Sequence, residues 1–212
     1  MKNIRTCHPV DIENPLVKSM LEYMSRVGRE TKGGIMSKPK TTARVIVTYQ
    51  CNRSCPGCCN THENSVRKIE DIQELLKYKE IVITGGEPML IKKDVIRLLL
   101  LLRSRGFAGK IYMYTAFFED DTYSDILLDR LNGITFTIHA EATENDIVVF
   151  KQLSNIIATK SHLNSRLFID SRIWDRFQES QRRFSMWSEV RKLEWKDECK
   201  PAEHEELAEF LL

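Results

Sequence analysis

Four of the chain's six cysteines fall within nine residues, Cys51-Asn-Arg-Ser-Cys55-Pro-Gly-Cys58-Cys59, and three of them are spaced C-x3-C-x2-C. Thiolates packed so closely need an electrophile to share, and a single loop can wrap Cys51, Cys55 and Cys58 round one metal centre. A structural zinc site would need a fourth cysteine or histidine, commonly from a second paired motif. Cys7 and Cys199 are isolated, and His62 is the only histidine close by. Cys59 adjoins Cys58, and neighbouring side chains in an extended loop point apart, so it reads as a packed thiol rather than a fourth ligand. Three thiolates leave one position of a cubane open, and a [4Fe–4S] cluster bound this way keeps one iron free for a small-molecule ligand.

A second constellation follows about thirty residues on, in Thr84-Gly85-Gly86-Glu87-Pro88. Two glycines let backbone approach a ligand closely. Glu87 supplies a carboxylate and Pro88 fixes the turn, so carbonyls plus one acid make a receptor for an ammonium group. The alternative is a bare turn at the end of a strand.

The elements that must position these residues alternate. Strands are expected at 43–49, 80–84, 110–115, 134–139, 166–170 and 192–195. Helices are expected at 65–78 (Val66, Ile69, Ile72, Leu75 and Leu76 on one face), 92–105 closed by Gly106, and 121–131 ended by an Asn132-Gly133 left-handed cap. A further helix opens on the capping-box sequence Thr143-Glu-Asn-Asp146 and carries Ile147, Phe150, Leu153 and Ile157 inward. Another is expected over Trp174 to Trp187, and a last one from Pro201 to Leu212. Strands alternating with helices imply right-handed crossovers and a parallel sheet. Six such units make an incomplete barrel or a strongly curved open sheet, with reactive groups at the C-terminal ends of the strands. Both motifs sit at such ends. Thr135, Thr137 and His139 share one face of the fourth strand by period two. Thr115 and His139 are therefore candidate cofactor or substrate contacts, with Asp170 a weaker one; ordinary strand residues satisfied by their neighbours are the alternative for each.

Residues 1–40 read as an N-terminal extension: Asn14-Pro15 starts a helix carrying Leu16, Val17, Met20, Leu21, Met24 and Val27, and a linker runs from Thr31 to Thr42. Residues 41–212 form the core domain. The 212 residues, 42% hydrophobic and 29% charged, suit one domain with an ordinary core. The net charge of +2 argues against nucleic acid as a partner. The basic clusters Arg103–Lys110 and Arg182–Lys192 read as solvated helix faces. Val95 to Leu102 is too short an apolar run to span a bilayer, and Met1-Lys-Asn-Ile-Arg lacks the apolar core of a signal peptide. The expected location is the cytoplasm, where clustered thiols stay reduced and bind metal.

Taken together, the cysteine loop after the first strand and the glutamate turn after the second resemble the radical S-adenosylmethionine superfamily over about residues 43–200. The resemblance implies a partial (β/α)6 TIM-like barrel with the N-terminal stretch as a short helical extension. It implies Cys51, Cys55 and Cys58 as ligands of a [4Fe–4S] cluster, and Gly85, Gly86, Glu87 and Pro88 as the site for the methionine end of S-adenosyl-L-methionine. The chemistry it implies is that of an oxidoreductase: one-electron cleavage of the sulfonium to a 5′-deoxyadenosyl radical that abstracts a substrate hydrogen. An electron donor such as flavodoxin or ferredoxin goes with it. The Cys55-Pro-Gly-Cys58-x-Asn60 pattern, with Gly57 where an aromatic residue is common, resembles the loop of activases for anaerobic ribonucleotide reductase. That favours a glycyl-radical activating enzyme acting on a partner protein. The other readings are a nucleoside- or deazapurine-type small-molecule enzyme, and a cluster-binding scaffold without catalysis.

Overall fold

The computed structural model describes residues 40–55, 58, 66–194 and 201–212, with Gln178 described by its backbone alone. The chain divides into units 1–38 and 39–212, and the sheet, the helices and the candidate site all belong to the second. The expected N-terminal helix, Cys7, Cys59, Asn60 and Cys199 lie outside the described residues.

Among the described residues, eight strands form one all-parallel sheet that does not close into a barrel. They are β1 (Thr42–Ile46), β2 (Arg67–Lys68), β3 (Glu80–Thr84), β4 (Lys110–Thr115), β5 (Gly133–Ile138), β6 (Asn164–Asp170), β7 (Glu189–Leu193) and β8 (Glu205–Glu209). Their order is β2-β8-β1-β3-β4-β5-β6-β7. The six expected strands are the run from β1 to β7 without β2, each beside the next as crossover topology requires. Two more, β8 and β2, extend the sheet beyond β1.

Three α-helices are described: α1 (Lys92–Ser104), α2 (Thr122–Leu128) and α3 (Glu144–Thr159). Strand residues of one parity, such as Val45, Ile81, Ile83, Ile111, Met113, Phe136 and Leu167, are fully buried. They join Leu98, Leu99 and Leu102 of α1, Leu127 and Leu128 of α2, and Phe150 and Leu153 of α3 in one core. The opposite parity carries Thr42, Arg44, Glu80, Tyr112, Tyr114, Thr135, Thr137 and Arg166, so the other face of the sheet is polar, as expected for an interior lining.

Gly106 closes α1 as expected. Its φ is +90°, its N–H bonds the Arg103 carbonyl at 3.1 Å, and the Phe107 N–H reaches back to Leu102 at 3.0 Å, the two bonds of a Schellman cap. The Thr143 capping box forms, with the Thr143 N–H bonding the Asp146 carboxylate at 2.7 Å.

Several expectations are overturned. The helix over 65–78 is instead strand β2 followed by a 3-10 segment, Ile72–Lys77. Its apolar positions, 66, 69, 72 and 75, recur every three residues, which is the 3-10 period rather than 3.6. The helix expected after the fifth strand is likewise a string of 3-10 turns, Ser171–Met186. The last helix, 201–212, is strand β8, lying parallel between β1 and β2. Its Glu, Leu and Ala residues prefer a helix, but pairing along the whole open edge of β1 overrides that preference. Thr41 and Thr42, expected in a linker, already pair with His204. Asn132-Gly133 is not a left-handed cap. Gly133 begins β5, where a Cβ would lie 2.3 Å from the Asn164 carbonyl oxygen, so glycine serves close strand approach.

Candidate active site at the strand ends

The stretch after β1 stays in register with the turn after β3 beyond the strands themselves. The Val47 N–H bonds the Thr84 carbonyl at 3.0 Å, Gly86 N–H bonds Thr48 at 2.7 Å and Glu87 N–H bonds Gln50 at 2.7 Å. This fixes the residue preceding Cys51 against the glutamate turn. The two glycines are needed for it. Gly85 has φ +136° and a Cβ there would meet the Thr48 carbonyl oxygen at 2.3 Å, while one on Gly86 would meet that of Gln50 at 2.1 Å. In this structure the close approach they permit is to the chain's own cysteine-bearing segment.

Glu87 is 2% exposed. One carboxylate oxygen accepts from the Met89 N–H at 3.0 Å and from the Thr115 hydroxyl at 2.5 Å, and the other from the Ala116 N–H at 2.8 Å. Burial pushes the Glu87 carboxyl up from its ordinary range, and these donors together with the Arg53 charge oppose the rise. Pro88 sits at the start of the 3-10 turn Pro88–Ile91, which Glu87 caps. Glu87 and Thr115, singled out separately in the sequence, are thus hydrogen-bonded to each other.

Cys51 is exposed, while Cys55 and Cys58 are half-buried and joined by a bond from the Cys58 N–H to the Cys55 carbonyl at 3.2 Å. The Cys55 thiol is pushed up to about 11, first by burial, then by Cys58, Glu141 and Cys51, against the pull of Arg53. A bound cation would relieve that disfavour of the Cys55 thiolate. Among the described residues, no three Cys, His, Asp or Glu side chains converge on a point that would hold a single ion. A four-iron cluster asks for less convergence, because each thiolate binds a different iron, and a three-thiol loop supplies the donor set it requires.

His139 follows β5 directly and is half-buried. Burial and then the Arg53 charge hold its imidazole below the ordinary range, with Glu141 and Asp170 pulling the other way. Those two causes favour the neutral imidazole over the charged one. Asp170, at the end of β6, is committed to Arg172, whose backbone N–H and guanidinium it accepts at 2.6 to 2.9 Å.

One member of the site was not found from the sequence. Arg53, inside the cysteine loop, donates to the Ala116 carbonyl at 2.8 Å and forms an ion pair with Asp146 at the start of α3. Burial alone would raise the Asp146 carboxyl, but bonds from Thr143 and Arg53 hold it below its ordinary range. Residue Ala116 thus accepts from Arg53 through its carbonyl and donates to Glu87 through its N–H.

No family model matches the chain. A Methanocaldococcus jannaschii protein named as a glycyl-radical enzyme activating enzyme is 38% identical over 80 residues, 34% of this chain and 33% of that protein. The chain thus spans about a third of the length of the curated relative it matches. SuiB of Streptococcus suis superposes with a TM-score of 0.54 at 14% identity, over 86% of this chain and 44% of that one. SuiB bound to its precursor peptide SuiA superposes at 0.51 and 13% identity, over 85% and 45%, and SuiB bound to S-adenosylmethionine at 0.50 and 14%, over 80% and 40%. Over those 80 residues the chain is similar in sequence to that activating enzyme, and over most of its length it shares the fold of SuiB.

Proposed function

We propose that the chain binds a [4Fe–4S] cluster through Cys51, Cys55 and Cys58, takes S-adenosylmethionine beside Gly85 to Pro88, and works as an activating enzyme that starts a radical on a partner protein. The observation that carries this reading is the backbone register that holds the residue before Cys51 against Glu87. Cluster and methionine end need that adjacency. When bound, the cluster and S-adenosylmethionine supply an electron and a hydrogen-abstracting radical.

The chain's own residues bind and orient. Glu87 retains one acceptor position for an ammonium group beyond its three internal bonds, and Thr115 and the Ala116 N–H fix its direction. Arg53 ties the cysteine loop to β4 and α3. His139 offers its imidazole at the same end of the sheet. The local likeness to an activating enzyme supports a polypeptide substrate, and a flavodoxin- or ferredoxin-type protein is the electron donor this reading requires. Residues 1–40 stand as a separate extension before a core of 41–212 in this proposal. A cytoplasmic location follows from the need to keep the three thiols reduced.

The test is anaerobic. Protein reconstituted with iron and sulfide, then given dithionite and S-adenosylmethionine, should release 5′-deoxyadenosine, and Cys51→Ala should abolish release together with the cluster absorbance. A four-iron cluster without cleavage above background would sink the radical reading. Addition of a glycyl-radical-type partner should then yield a protein radical visible by electron paramagnetic resonance.

A further inference from the structure

Arg53 stands in the middle of the first limb of the cysteine loop, Cys51 to Cys55, and its side chain leaves that limb for two other elements. Its guanidinium donates to the Ala116 carbonyl at 2.8 Å, just past the end of β4, and pairs with the Asp146 carboxylate in the first turn of α3. The side chain is 17% exposed, and its Nε is shielded from water with no hydrogen-bond partner among the described residues. A buried donor left unbonded is unfavourable, so an arginine serving only solubility would turn outward. The Ala116 and Asp146 bonds keep it in.

The far end of this tether is rigid. One Asp146 oxygen accepts from the Thr143 N–H at 2.7 Å and from the Thr143 hydroxyl at 2.9 Å, which orients the carboxylate and leaves the other oxygen to Arg53. α3 itself is fixed by Phe150 and Leu153, both fully buried in the core. The near end has a second anchor in Gln50, three residues before Arg53, whose carbonyl accepts from the Glu87 N–H at 2.7 Å. Cys51 lies between these anchors, and Cys55 two residues beyond the second. A free limb of this length would sample many backbone states and lose them when its thiols ligate. A limb anchored at residues 50 and 53 has lost them already, so ligation does not bear that cost. An ion-paired hydrogen bond suits the task, being directional and about twice as strong as a neutral one.

We infer that Arg53 and Asp146 are a positioning pair that orders the Cys51–Cys55 limb before any metal is bound. The inference takes from the proposed function only that these cysteines are ligands. Its first test needs no cluster. In the metal-free full chain, kept reduced and anaerobic, nitrogen-15 relaxation should give backbone order parameters for Asn52 to Cys55 near the rigid value of about 0.85. Arg53→Met keeps most of the side chain's apolar stem and loses its charge and donors. It should drop those values below about 0.6 while the amides of β3 and β4 are unchanged. Arg53→Lys, which retains the charge, should recover most of the order, a rescue that mere packing of the stem would not produce. Asp146→Asn should loosen the same limb; should it unfold α3 instead, Arg53→Met alone carries the test. The second test follows iron. After reconstitution, Arg53→Met should release iron to a chelator severalfold faster than the wild type, and Arg53→Lys at close to the wild-type rate. Wild-type rigidity or wild-type iron release in Arg53→Met, or a limb already mobile in the metal-free wild type, overturns the inference. A limb ordered by the pair in a chain that takes up no iron upholds it and refutes the cluster reading instead.

Discussion

At the scale of single residues, the site depends on how closely two backbones run. Gly86 lies where a Cβ would be 2.1 Å from the Gln50 carbonyl oxygen. Gly86→Ala must push the segment before Cys51 away from the glutamate turn, at a cost of about 1–3 kcal/mol. The expected result is a protein that still folds, melts a few degrees lower and retains well under half the wild-type iron after reconstitution. Iron and sulfide analysis beside circular dichroism checks both halves, and full iron loading would refute the expectation. The three cysteines and Glu87 stand out as candidates in the sequence because their chemistry is unusual and their spacing is local. Arg53 does not, since its partners, Ala116 and Asp146, lie 63 and 93 residues away and no periodicity links them. Gly85 and Gly86 were noticed for the right property, close approach, but the structure shows that approach made to the chain's own residues 48–50.

At the scale of elements, α2 shows how a helix start is held by charge. Its cap, Asp121, accepts from the Ser124 N–H at 2.8 Å and pairs with Lys92 of α1 at 2.7 Å. Lys92 and the Ser124 N–H hold the Asp121 carboxyl at about 2, below the ordinary aspartate value of 3.8. A carboxyl depressed in the folded state stabilises it above the unfolded value, and that contribution is lost as pH falls toward the folded one. Asp121→Asn keeps a capping oxygen but loses the charge. It should flatten the loss of stability between about pH 4 and about pH 2, and cost no more than about 1 kcal/mol at pH 7 because the carboxylate is largely exposed. Urea titrations at several pH values would show this, and an unchanged acid limb would contradict it. The central strands and α1 were legible because apolar runs and helical stripes are local signals that the core confirms. The 65–78 stretch misled because a period of three passes for a helical face over one or two turns. β8 misled because its residues favour a helix, and only the vacant edge of β1, some 160 residues earlier, makes it a strand.

At the scale of the whole molecule, the sheet is held at one side by that last strand. β8 pairs along all five residues of β1, Glu205 answers Arg44, Glu206 accepts from Tyr78 at 2.6 Å and from Arg67 at 3.1 Å, and Glu209 accepts from Tyr49. Truncation before Glu205 should therefore cost about 3 kcal/mol or more, because Arg44 loses its carboxylate and β1 loses a neighbour. For a chain of this size that is a drop of roughly 6–12 °C in melting temperature, measurable by differential scanning calorimetry. A truncated chain that melts like the full one would show the strand to be dispensable. The same pairing has a consequence in time. During synthesis β1 emerges early, yet its outer neighbour does not exist until the ribosome has passed residue 209. Until then the strand that leads into Cys51 has one bare edge, and the Tyr49 hydroxyl two residues before that cysteine lacks Glu209. Contacts so distant along the chain form late. The cysteine loop is therefore completed only once β8 has been made, and a nascent chain stalled short of β8 should load iron poorly even though all three cysteines are already outside the ribosome.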